Sequence, residues 1–152
     1  MALPEPTERL RTLVDQASLE SLDYERLSAS RGTGYAAADS TSVEVRPVWG
    51  VTIEIDDGAQ SRFLLRTGVK IDMDGDYGKV ECRCIAVYSA QDLPKDELTE
   101  ELALEYANHV GFMAVVPFIR QAIADLSQRV FGQTLLMPII RRGDVWFTGA
   151  AE

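Results

Sequence analysis

Apolar residues alternate with polar ones along three successive segments of the chain. Val43, Val45, Trp49, Val51, Ile53 and Ile55 share one parity, while Glu44, Arg46, Thr52 and Glu54 take the other. After Asp57-Gly58 the alternation resumes, with Phe63, Leu65, Val69, Ile71 and Met73 against Arg62, Arg66 and Lys70. After Asp74-Gly75 it resumes again, with Val80, Cys82, Cys84, Ala86 and Tyr88 against Lys79, Glu81 and Arg83. Side chains of a strand point alternately to its two faces, so period-two segments joined by Asp-Gly turns predict hairpins and an antiparallel sheet with one dry face.

Elsewhere the period is helical. Leu10, Leu13, Val14 and Ala17 predict a helix over 7–19, with Thr7 placed to cap it after Pro6. A short extended segment follows around Leu22 and Tyr24, and Ser28 to Ser42, rich in small and polar residues, reads as a loop. A helix is predicted from Leu93-Pro94-Lys95-Asp96, facing inward with Leu98, Leu102 and Tyr106. Gly111 and Pro117 interrupt it, and because proline lacks an N–H and clashes with the preceding turn, a second helix is placed from Pro117. Its stripe is Ile119, Ile123, Leu126 and Val130. The expected fold is α+β: an antiparallel sheet of about four strands with helices packed on one side, in one domain over 1–152.

Composition narrows the functions available. The chain carries 24 acidic and 15 basic residues, a net charge of −9. That disfavours nucleic acid and anionic membranes, which need clustered Lys and Arg, and suits a basic protein partner. The N-terminus lacks the basic-then-apolar pattern of a signal peptide, and no run of about twenty apolar residues predicts a membrane span. A cytoplasmic location is expected, with Cys82 and Cys84 as thiols.

No catalytic constellation emerges, and the chain is expected not to be an enzyme. Asp72-Met73-Asp74-Gly75-Asp76 places its glycine too early for a calcium loop and Arg83 where the closing glutamate belongs, so it reads as a hairpin turn. Cys82 and Cys84 point to the same strand face, but zinc would need two more soft ligands and His109 is the one histidine. His109 comes with no nucleophile elbow. No glycine-rich run ends in Gly-Lys-Ser/Thr, so no nucleotide or other cofactor is expected.

The stretch Pro117-Phe118-Ile119-Arg120 opening a helix, then Leu135-Leu136-Met137-Pro138, then Asp144-Val145-Trp146-Phe147, all downstream of three strands, is similar to SecB, the bacterial export chaperone. The resemblance runs from about Leu22 to Phe147. It implies an ATP-independent chaperone that holds unfolded polypeptides, assembled as a homotetramer built from two dimers. It also implies a client groove between Val45, Trp49, Val51 and Ile53 on one side and Leu135, Leu136, Met137 and Trp146 on the other. Glu81 matches a position that contacts the motor SecA, with Glu25 as a second, and Glu81 projects away from the buried row, its charge free for a basic partner. The apolar faces of the third strand and the Pro117 helix, with Val80, Cys82, Cys84, Ile119, Ile123 and Leu126, are expected at subunit interfaces. The family's paired glycines are Ile85 and Ala86 here, the tail past Thr148 is short, and an N-terminal helix is added. These departures suit a divergent SecB-like chaperone dedicated to an antitoxin or another specific partner as well as they suit an export chaperone.

Overall fold

The computed structural model of the chain describes residues 4–35 and 44–149. Val43 and residues 36–42 of the expected loop lie outside the described residues. Helix α1 (Glu8–Gln16) is followed by strands β1 (Ser18–Arg31), β2 (Val45–Ile55), β3 (Arg62–Met73) and β4 (Gly78–Ser89). Helices α2 (Glu100–Tyr106) and α3 (Phe112–Phe131) complete the regular structure. The four strands form one antiparallel sheet in the order β1-β4-β3-β2, leaving β1 and β2 at the edges.

The alternation read from the sequence is the alternation observed in β3 and β4. Phe63, Leu65, Val69, Ile71, Met73, Val80, Cys82, Cys84, Ala86 and Tyr88 are all buried on one face. β2 follows the same parity with Val51 buried and Val45, Trp49, Ile53 and Ile55 packed against the core's margin. Thr7 caps α1 as expected, its hydroxyl accepting from the Leu10 N–H at 3.1 Å, and Leu10 and Leu13 are buried against the core.

β1 departs from expectation, because it is a full 14-residue strand and Ser28–Arg31 belong to it rather than to a loop. Its register against β4 shifts between Leu19 and Ser21 and again between Tyr24 and Arg26. Each shift leaves one extra residue, Glu20 and Glu25. The residues opposite the buried row of β4 are therefore Leu19, Leu22, Tyr24, Leu27 and Ala29, spaced three, two, three and two apart. Bulges of this kind break the period of two and re-aim the extra side chain.

The helical region also departs. A 3₁₀ turn at Lys95–Glu97 precedes α2, which starts at Glu100 with the Thr99 hydroxyl accepting from the Leu102 N–H at 3.1 Å. The turn is tied down by Lys95 Nζ, which donates to the carbonyls of Asp56 and Gln60 in the β2–β3 connection. No helix begins at Pro117. The break comes earlier, as a π-turn over Ala107–Gly111, and Pro117 lies inside α3. Pro117 is exposed, so water can satisfy the Met113 carbonyl that its missing N–H leaves free. Gly111 sits in the π-turn because a Cβ there would fall 2.7 Å from Leu65 of the sheet.

α3 lies across β4, β1 and β3 with Phe112, Val115, Val116, Ile119, Ala122, Ile123, Ser127 and Phe131 buried. The run from Glu100 to Phe131 is long and apolar enough to cross a membrane, contrary to the sequence reading, but 61% of its apolar window is buried within the fold. Gly132 ends α3 in the left-handed region (φ 75°) and reverses the chain. Residues 133–149 then run without helix or strand.

Ile123 is fully enclosed, so Ile123→Ala should cost about 2–5 kcal/mol, measured by chemical denaturation. Half-buried Leu126, cut back to Ala in the same way, should cost clearly less.

Candidate functional site

The two faces of the sheet do different work, and the expected site residues divide between them. On the inner face, Val80, Cys82, Cys84, Ile119 and Ile123 are at most 1% exposed within the single chain. Sheet and α3 cover each other, so these residues are core and cannot meet a partner in this fold; Leu126 keeps partial exposure. Cys82 and Cys84 are free and buried; the hydrogen bond with Cys84, then burial, push the Cys82 thiol up and hold it neutral. No group of three or more His, Cys, Asp or Glu is placed to hold a metal among the described residues. Asp76, in the aspartate-rich turn, accepts from the Thr33 N–H at 3.0 Å.

On the outer face, charge is consumed internally. The Glu20 carboxylate reaches over β4 to Arg62 (3.0 Å), which also meets Asp56 (3.3 Å). Glu25 does the same to Arg66 (3.0 Å), which meets Glu54 (2.8 Å), and Arg83 stands 3.7 Å from Glu25. These carboxylates come from the two bulges of β1, so each arginine of β3 links both edges of the sheet. The Glu81 carboxylate pairs with Arg26 at 2.9 Å, and its side chain is only 20% exposed. The expectation that Glu81 offers a free charge is corrected: β1, read as a short segment, supplies Arg26, which reaches Glu81 diagonally from its place opposite Arg83.

The expected groove residues are brought together in part. Val45 and Leu135 line one cleft of about 120 Å³ with Met73, Tyr77, Ser127 and Phe131. Trp49 packs edge-on against Phe112 at 5.2 Å, and Phe112 against Phe147 at 5.4 Å. Ile53 is half-buried. Val51 and Met137 face the core and are not presented to a client in this arrangement. Leu136 is 79% exposed, and Ile139, not anticipated from sequence, is 76% exposed.

The segment carrying these residues folds back along α3 and is held at a few points. The Ser127 hydroxyl accepts from the Leu135 N–H at 2.7 Å, and Arg120 donates to the Met137 carbonyl at 3.3 Å. The strongest anchor is Asn108 in the π-turn. Its carboxamide accepts from the Phe147 N–H at 2.8 Å and donates to the Phe147 carbonyl at 2.7 Å. Beside it, His109 packs edge-on against half-buried Trp146 at 5.2 Å, and its Nδ1 accepts from Arg142 at 3.0 Å. Sequence reasoning passed over Asn108 and weighed His109 only as a ligand or base. The signal was there: two adjacent polar residues inside an apolar helical stretch must be satisfied by something.

No protein-family model matches the chain. The SecB-like chaperone SmegB of Mycolicibacterium smegmatis is 29% identical over 105 residues, covering 64% of this chain and 70% of that protein. The solved structure of the Mycobacterium tuberculosis SecB-like chaperone Rv1957, in complex with a ChAD peptide from the HigA1 antitoxin, matches with a TM-score of 0.72 at 19% identity. The match covers 88% of this chain and 96% of that one, and it shows the fold. The chain is thus similar to SecB-like chaperones in sequence and fold, and the resemblance carried by Pro117–Arg120, Leu135–Pro138 and Asp144–Phe147 stands in its divergent form.

Burial, then the charge of Arg142, holds the His109 imidazole below its ordinary range, against a weaker opposing pull from Glu105. The folded state therefore favours the neutral ring. The stability this contributes is present above the unfolded value of about 6.5 and is lost as pH falls through the lower folded value. Thermal melts between pH 7.5 and 5 should show a smaller acid-side fall in Tm for His109→Gln than for the unmodified chain.

Proposed function

We propose that the protein is an ATP-independent chaperone that holds apolar segments of non-native polypeptides, acting in the cytoplasm. The observation that carries this reading is the segment 135–147. It presents Leu136 and Ile139 almost fully to solvent beside a cleft lined by Val45 and Leu135, and it has no helix or strand to fix it. Exposed apolar side chains on an adaptable segment suit clients of unrelated sequence. The likeness to two SecB-like chaperones supports the same reading.

A dedicated partner, such as an antitoxin, is the second reading, and one observation favours it over export through SecA. Glu25 and Glu81, the carboxylates expected to meet the motor, are held by Arg66 and Arg26. The neighbour bound to an antitoxin peptide points the same way. A homotetramer remains part of the proposal, with its contacts moved from the buried core to the free edge of β1. There Leu19, Tyr24 and Leu27, with Phe118 of α3 bonded through its carbonyl to the Tyr24 hydroxyl, stay about half exposed. An unpaired edge beside apolar side chains invites a second copy.

Light scattering at micromolar concentration should give a mass well above the 16.8 kDa of one chain; a monomer mass would remove the assembly from the proposal. In aggregation assays, the double variant Leu136→Ser/Ile139→Ser should hold unfolded clients several-fold less well with an almost unchanged Tm, since both residues are exposed. Protection of several unrelated proteins supports the general holdase, protection of one antitoxin supports the dedicated chaperone, and protection of none sinks both.

A further inference from the structure

Helix α1, the π-turn and the terminal segment together line a cleft of about 250 Å³. Leu10, Val14 and Val110 give it apolar walls, and Arg11, Asp15, His109 and Arg142 supply its polar groups. It shares no residue with the cleft of Val45 and Leu135.

The hydrogen-bond donors here outnumber what the fold uses. Arginine can only donate, so the bond from Arg142 at 3.0 Å makes Nδ1 of His109 the acceptor and leaves the ring proton on Nε2. That Nε2–H has no partner among the described residues, although His109 is only 6% exposed. It therefore lines the cleft as an unused donor. Arg142 meets this neutral ring and makes no ion pair among the described residues. The neighbouring carboxylates are committed elsewhere. Glu105 accepts from the Thr7 N–H and hydroxyl at 3.0 and 3.1 Å, anchoring α1, and Glu8 meets Arg11 at 3.3 Å. The Glu8–Arg11 pair is solvent-exposed and is exchanged at little cost. Of the lining residues only Asp15 is acidic. Two guanidinium groups and an imidazole N–H thus face an apolar pocket, and the planar fork of an arginine matches a carboxylate.

We infer that this cleft binds a carboxylate carried on a short apolar stem. The carboxylate accepts from Arg11, Arg142 and the His109 Nε2–H, and the stem packs on Leu10, Val14 and Val110. The inference stands apart from the chaperone reading and concerns a second, small-molecule-sized site. Because Arg11 belongs to α1 and Arg142 to the terminal segment, the ligand ties these two parts of the chain together. A free carboxylic acid and the C-terminal residue of a polypeptide share this chemistry.

His109 is the sole histidine of the chain, so in the untagged protein its ring protons report on the cleft by NMR without competing signals. The probe is hexanoate, with hexanamide as its uncharged counterpart, at pH 7.5 and constant ionic strength. The expected result is a saturable shift of the His109 ring signals with a Kd on the order of millimolar, since so small a ligand offers few contacts. Hexanamide should bind at least ten-fold more weakly, and Tm should rise with hexanoate over the same range. Arg142→Gln, which can still donate to Nδ1, should weaken hexanoate about ten-fold. Asp15→Asn, which removes the opposing charge, should tighten it a few-fold. Both side chains are exposed, so the fold should survive either change. N-acetyl-leucine and its amide separate the two sources. Tighter binding of N-acetyl-leucine than of hexanoate, with none of its amide, assigns the site to a polypeptide C-terminus, and the reverse order assigns it to a free acid; each supports the inference. Ring signals that ignore hexanoate, that respond equally to hexanamide, or that report the same affinity in both variants overturn it, whatever the outcome of the aggregation assays.

Discussion

Everything in this fold depends on one sheet face being sealed by one long helix. A four-stranded antiparallel sheet with a single dry face needs a cover that spans its width. α3 provides most of it from Phe112 to Phe131, across β4, β1 and β3, and α2 packs against β2. That demand explains why Pro117 is tolerated within the helix: Val116 before it and Ile119 two residues on are buried, and the proline is turned to water. It also explains where the helix breaks. Where the stretch from α2 passes closest to β3, only a glycine fits against Leu65, and the π-turn around it absorbs the mismatch in phase.

The opposite sheet face is governed by charge rather than by burial. The two glutamates displaced by the bulges of β1 reach across β4 to β3, so Arg62 and Arg66 each hold carboxylates from both sides. Individually such solvent-exposed pairs contribute little. Their arrangement matters more than their sum, because slipping the register of β1 by one residue would part Glu20 from Arg62 and Glu25 from Arg66 at once.

The sequence made β2, β3 and β4 legible because their period of two is uninterrupted and their turns carry Asp-Gly. The same logic hid β1, whose inward residues Leu19, Leu22, Tyr24, Leu27 and Ala29 follow no single period. The Pro117 boundary was misplaced because local proline chemistry was weighed without the sheet that the helix must cover. Of the expected groove, Val45 and Leu135 line one cleft, since both follow from apolar patterning and the SecB-like motifs. Asn108 escaped because its role is set by a partner 39 positions away, and main-chain partners leave no mark in the sequence. Glu81 was placed on the correct face, but its pairing with Arg26 could not be seen without β1.

The reversal at Gly132 has a kinetic and thermodynamic corollary. By turning the chain back along α3, it makes residues 133–149 a ligand on a short tether. Tethered ligands of this length compete at an effective concentration on the order of millimolar. Any free polypeptide that wants the same surface must outbid that local concentration, by affinity or by abundance. For a chaperone of the kind proposed, that local concentration sets the threshold a client segment would have to exceed.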